Sequence, residues 1–207
     1  MVESASEVTD KRVQRSMAKV LSETYGLLTE GGIGGVSIDE VARRSGVSKT
    51  TIYRHWPSRS ALLLDACSKL GSPAPVPDTG TLPGDLAILA AGVAEDLCTA
   101  RWPAVLPSII DAAERDPEVA GVQAALQVGF TAPFLAVAER ARHRGELPDG
   151  RSASDIVASL LGPLFFRRWF SREPIDDRFV EMLVHSVTHP AGASHSRPPC
   201  APSGKDA

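Results

Sequence analysis

From Val13 to Val187 the apolar residues recur at spacings of three and four, and no stretch alternates with a period of two. Such spacing lays an apolar stripe along α-helices and leaves no pattern for a half-buried strand. The expected fold class is therefore all-α, with about nine helices. Val13, Met17, Val20, Leu21, Tyr25 and Leu28 mark the first helix, which Gly31-Gly32 stops. A charged fraction of 23% and an apolar fraction of 43% over 207 residues are ordinary for a folded chain and exclude wholesale disorder.

Proline and glycine set the domain boundaries. Gly71 to Pro83 holds four prolines and two glycines, which no helix or central strand tolerates. Residues 72–83 are expected to be a linker between an N-terminal unit, 11–71, and a longer helical unit, 84–189. Residues 1–10 are polar and expected to be flexible, and the Pro-rich tail 190–207 is expected to be disordered. Helices are expected at 84–100, 103–115, 118–144, 152–171 and 176–189. Pro107, Pro133 and Pro163 fall inside them and predict kinks or breaks. Three widely spaced cysteines without a Cys-x-x-Cys argue against a disulfide scaffold or zinc ribbon and for a reduced, cytoplasmic setting. Val119 to Ala138 runs twenty residues without a charge. Its glycines, glutamines and proline make a buried helix, not a membrane span, the expected reading.

The net charge of −3 hides an asymmetry: residues 1–72 carry +2 and residues 73–207 carry −5. From Val41 to Leu64 there is no Asp or Glu, while Arg43, Arg44, Lys49, Arg54, Arg59 and His55 stand there. A phosphate backbone would select such a segment, although charge alone does not separate it from a solvated face. The surrounding pattern is more specific. Ser37-Ile-Asp-Glu40 fits a capping box. Gly46 supplies a tight turn, Ser48 caps a helix over Lys49–Trp56, and Pro57-Ser58 restarts the chain. Val41, Val47 and Ile52 would form a shared core, with Ala42 allowing close approach. Two short helices so joined make a helix-turn-helix, at 37–56, whose second helix enters a major groove.

The residues Gly46-Val47-Ser48, Thr51-Ile52-Tyr53, His55-Trp56-Pro57-Ser58-Arg59 and Leu62-Leu63 resemble the DNA-binding domain of the TetR family of transcriptional regulators. The resemblance implies an N-terminal three-helix DNA-binding domain and a C-terminal helical domain for ligand binding and dimerisation. It implies DNA contacts from Ser37, Arg43, Arg44, Ser48, Lys49, Thr50, Thr51, Tyr53, Arg54, His55 and Arg59, with Trp56 in the core. The expected partners are a double-stranded DNA operator of pseudo-palindromic sequence, a second copy of the chain and a small apolar or aromatic effector that releases a repressor. A constitutive DNA-binding protein without effector, or a helical small-molecule-binding protein or enzyme, are the alternatives.

In the C-terminal half, two helices are apolar around most of their circumference, which implies burial on two sides. Ile156, Leu160, Leu164, Phe179, Leu183 and Val187 are the residues expected to face a second copy. Trp102, Leu106, Ile110, Leu126, Phe130, Phe134 and Phe165 are the candidates for a ligand pocket. No catalytic residue and no cofactor is expected: Gly31–Gly35 lacks the Lys-Ser/Thr of a P-loop, and Gly46–Thr50 is not a nucleophile elbow. His185 and His189 have a metal-ligand spacing, but no third ligand is fixed nearby and no metal is expected.

Overall fold

The computed structural model describes residues 5–68, 75–100, 102–147 and 150–189. Among them the chain forms α1 (Ala5–Gly31), α2 (Ile38–Ser45), α3 (Lys49–His55), α4 (Arg59–Ser68), α5 (Leu82–Thr99), α6 (Trp102–Ala113), α7 (Pro117–Arg144), α8 (Ala153–Phe166) and α9 (Asp177–Thr188), and no strand. A 3₁₀ turn, Ile33–Gly35, follows α1, and a π turn, Arg167–Ser171, continues α8. Residues 5–10, expected to be flexible, are instead the first turns of α1. The tail 190–207 and residues 72–74 of the expected linker lie outside the described residues.

Local chemistry accounts for the boundaries. Ser37, Ser48, Thr81, Asp116, Ser152 and Asp176 each accept a backbone N–H of the helix they precede. Gly46 and Gly145 close α2 and α7 in the left-handed conformation, with φ of 68° and 73°. The capping box expected at Ser37 is only half made. Glu40 N–H donates to Ser37 Oγ at 3.1 Å, but the Glu40 carboxylate accepts from Arg43 and Arg44 instead. A complete box forms at Ser152 and Asp155. The helices run through Pro107, Pro133 and Pro163 without the expected breaks; the helix geometry widens only after Phe166, in the π turn.

The apolar residues gather into two cores. One joins α5, the C-terminal half of α7, α8 and α9 through Leu86, Val137, Ala141, Ile156, Leu160, Leu164 and Leu183. The other joins α1 to α4 through Val20, Leu28, Val41, Ile52, Leu62 and Leu63, and it also takes in Val105 and Ile109 of α6 and Val119 and Val122 of α7. Helix α7 therefore serves both cores. Its long apolar run is one-sided and not fully buried as expected: Val119, Val122, Phe134, Val137 and Ala138 face inward, while Ala125, Val128, Ala132 and Leu135 are exposed. By length and composition alone this helix could cross a membrane. Its two buried ends, each closed into a different core, fit a bundle's central helix.

The Pro-rich segment is tied down. Thr79 donates through N–H and Oγ1 to the buried Asp85 carboxylate, at 2.6 and 2.9 Å. Arg140 of α7 reaches the Pro77 carbonyl and the carboxylates of Asp78 and Asp85. Leu82 N–H donates to Glu146 at 2.6 Å. Of the cysteines, Cys67 is buried, and burial pushes its thiol up to about 11. Cys98 is exposed.

Candidate nucleic-acid interface and effector site

Helices α2 and α3 meet at Gly46, whose φ of 68° a β-carbon would strain. Val41 and Ile52 are fully buried between them, which fixes which side of α3 faces out. Lys49, Thr50, Tyr53, Arg54 and His55 are exposed, with Tyr53 49% accessible. Thr51 is half-buried, and its Oγ1 lies 2.9 Å from Ser48 Oγ, the N-cap. One face of α3 thus offers two cations, an imidazole, a phenol and a threonine hydroxyl with no carboxylate of its own. These are the groups that read base edges and hold phosphates.

The remaining expected contacts are more constrained. Arg44 bonds Glu30 and Glu40, each at 2.9 Å, and Arg43 bonds Glu40 at 2.8 Å. Hydrogen bonds from Arg43 and then Arg44 push the Glu40 carboxyl down to about 2. Arg44 ties α1 to α2, whereas Arg43 is exposed over the same carboxylate. Asp39, which was not anticipated, forms an ion pair with Lys49 on the open face. Arg59 departs furthest from expectation. It turns inward, donating Nε to the Val36 carbonyl at 2.8 Å and Nη2 to the Ile33 carbonyl. With two of its N–H groups the guanidinium closes the 3₁₀ turn against α4, a clamping role that was not expected of it. Trp56 is buried as expected, and its Nε1 donates to Asp65 at 2.9 Å.

Residues 20–66 match the family described as bacterial regulatory proteins, tetR family, and residues 76–187 match the tetracyclin repressor-like C-terminal domain. The chain belongs to the TetR family. It is a DNA-binding transcriptional regulator. It is 31% identical to the uncharacterized HTH-type transcriptional regulator YdeS of Bacillus subtilis, over 80% of this chain and 84% of that one. It is also 31% identical to the DNA-binding transcriptional repressor TetR of Mycobacteroides abscessus, over 85% and 93%. Among solved structures, the TetR family transcription regulator SCO0332 aligns with a TM-score of 0.66 at 30% identity, covering 86% of this chain and 99% of that one.

In the C-terminal domain of this TetR-family regulator, four of the seven expected pocket residues come together. Phe130 of α7 lies 5.9 Å from Trp102, 6.3 Å from Phe134 and 6.1 Å from Phe165, between ring centroids. Trp169, not among the candidates, extends the cluster at 5.2 Å from Phe165; it is the next aromatic on the same helical face, which is the signal that could have found it. Its Nε1 donates to the Pro103 carbonyl, and Arg168 Nε donates to the Leu97 carbonyl, so the π turn is laced to the α5–α6 junction. Leu106 is half-buried and belongs to neither core. Leu126 packs against the N-terminal core, and Ile110 is 48% exposed.

The six residues expected at a dimer interface are all buried within the chain's own C-terminal core. Helices α5 and α7 already cover the face that periodicity assigned to a partner, so that assignment is corrected. The apolar surface left open lies one step round. Ala158, Gly162, Phe166 and Phe170 follow at four-residue intervals along α8 and its π turn, and Met182 is exposed on α9. Phe166 and Phe170 stack at 5.7 Å with their faces 11° apart, and Phe170 is 76% exposed.

Proposed function

We propose that this regulator is a cytoplasmic repressor. It binds a pseudo-palindromic operator as a homodimer and releases it when a small apolar or aromatic molecule enters the C-terminal domain. The observation that carries the reading is the exposed face of α3, which has cations and hydroxyls but no carboxylate of its own, held by Ser48 and by the buried Ile52. In this reading Thr50 and Tyr53 meet base edges and sugar-phosphate, and Lys49 and Arg54 hold phosphates. Ser37 and Ser48 contribute through their caps.

A second copy is best received by the open faces of α8 and α9. Ala158 and Gly162 let two helices approach closely, while Phe166, Phe170 and Met182 supply apolar area that a lone chain leaves in water. Paired in this way, two α3 helices can meet successive major grooves about 34 Å apart. The effector is best received by Trp102, Phe130, Phe134, Phe165 and Trp169. These rings join α6, α7 and α8, and a guest among them shifts the operator equilibrium only through its different affinity for the two arrangements.

Selection of genomic fragments with the purified protein, followed by a salt titration on the best fragment, tests the reading. A palindromic site bound by two chains, weakening steeply with salt, is the expected result. Absence of any enriched fragment, both before and after refolding away bound ligand, overturns it. A variant carrying F166D and F170D should sediment as a monomer and lose operator affinity. A dimer unaffected by both changes would place the interface elsewhere.

A further inference from the structure

Helix α9 ends in two imidazoles that operator binding does not use. His185 and His189 stand four residues apart, both exposed, with ring centroids 4.7 Å apart and planes 17° from parallel. Side chains at this spacing sit one above the other on a helix, and two histidines so placed can share one ion. Three features of the site go beyond the spacing.

The first is the neighbouring hydroxyl. Thr188 Oγ1 lies 2.8 Å from the Val184 carbonyl and 3.0 Å from His189 Nδ1. A carbonyl only accepts, so the single hydroxyl proton goes to Val184, and Thr188 must accept from the ring. In the neutral ring this contact favours hydrogen on Nδ1 and leaves the Nε2 lone pair to solvent. That is the tautomer a metal-bound imidazole needs, fixed by the kind of outer contact that orients ligating histidines. The second is position. The pair straddles the C-terminus of α9, where unpaired carbonyls and the helix dipole give a partial negative charge that favours a cation. The third is freedom. Among the described residues neither ring meets a carboxylate, and the exposed His185 ring can turn from the stacked arrangement toward an ion on His189 Nε2.

We propose that His185 and His189 chelate a divalent transition ion of borderline softness (Zn²⁺, Ni²⁺ or Cu²⁺), with water completing its coordination. Magnesium and calcium, which take oxygen ligands, do not fit this donor pair. His189 binds through Nε2, and Thr188 is a positioning residue. Met182 lies three residues before His185 on the same helix, so the ion sits at the edge of the surface proposed for the second copy.

The test uses the full chain stripped of metal by chelator and titrated with NiCl₂ alone, read by calorimetry and by the thermal midpoint. One saturable site per chain, a midpoint raised by Ni²⁺ and not by MgCl₂, and no change in H143Q are expected. H185Q and H189Q should each weaken binding by at least about tenfold, T188V by about tenfold, and T188S should restore it, as for lost outer contacts at other metal sites. Binding unchanged in both histidine variants, or no saturable Ni²⁺ site in the wild type, overturns the assignment. Equal binding by T188V and wild type would remove Thr188 from it.

Discussion

At Arg59 the guanidinium reaches back from the first turn of α4 to the carbonyls of Ile33 and Val36. Arg54, five residues earlier, is exposed on α3. The two arginines share a charge and a basic stretch of sequence, and only the fold separates their work. R59A should cost about 1–3 kcal/mol in urea unfolding, the range for hydrogen bonds from a charged donor to carbonyls that lose it. Its effect on operator binding should leave the salt slope as it was. R54A should do the reverse, keeping stability and flattening the salt slope by about one phosphate. A salt slope for R54A equal to that of wild type would show that Arg54 touches no phosphate. The inward turn of Arg59 could not be read from the chain, because it depends on where the 3₁₀ turn at Ile33 comes to rest.

At the scale of elements, Glu40 shows how α2 is tied to its surroundings. Arg43 and Arg44 hold its carboxyl down from 4.5 to about 2. The folded form is the one that prefers the ionised group, so the contribution is complete above 4.5 and disappears as the pH falls toward 2. E40Q should therefore flatten the acid limb of the stability curve in that window and lower stability at pH 7. An acid limb identical to wild type would show that the arginines give Glu40 nothing. Helix α7 offers a second case: it continues through Pro133, which cannot donate to the Gly129 carbonyl. P133A restores that donor and should raise stability by about 1–3 kcal/mol, measured by urea unfolding; a loss would mean that the backbone there is shaped around the proline. The helices themselves were legible because caps, glycines and threefold-to-fourfold spacing are local signals. Ile156, Leu160 and Leu164 show what was not. Periodicity says that a face is buried but not whose atoms cover it, and here α5 and α7 cover it before a second chain can.

Across the whole molecule, the Pro-rich break at 71–83 marks a change of composition more sharply than a change of packing. Val105 and Ile109 of α6 and Val119 and Val122 of α7 complete the core of α1 to α4, with Leu126 packed against them. Gly32, at φ 63°, brings the end of α1 against α6, where a β-carbon would stand 3.0 Å from Ser108 Cβ. The DNA-binding unit thus borrows apolar cover from the domain that follows it, and a fragment ending at residue 71 would expose that surface to water. I109A removes a buried side chain at this junction and should cost about 2–5 kcal/mol. If the two cores stand or fall together, fluorescence and far-ultraviolet dichroism will give one coincident urea transition in wild type and in I109A, at matched protein concentration. Two separated transitions would show that the cores are independent. Ile109 lies outside the proposed DNA face, yet the same variant should weaken operator binding, because α1 to α4 rest partly on α6 and lose their seat with it. If the proposed effector enters beside Trp102, at the start of α6, the packing that stabilises the DNA-binding unit is the contact through which α3 would feel it.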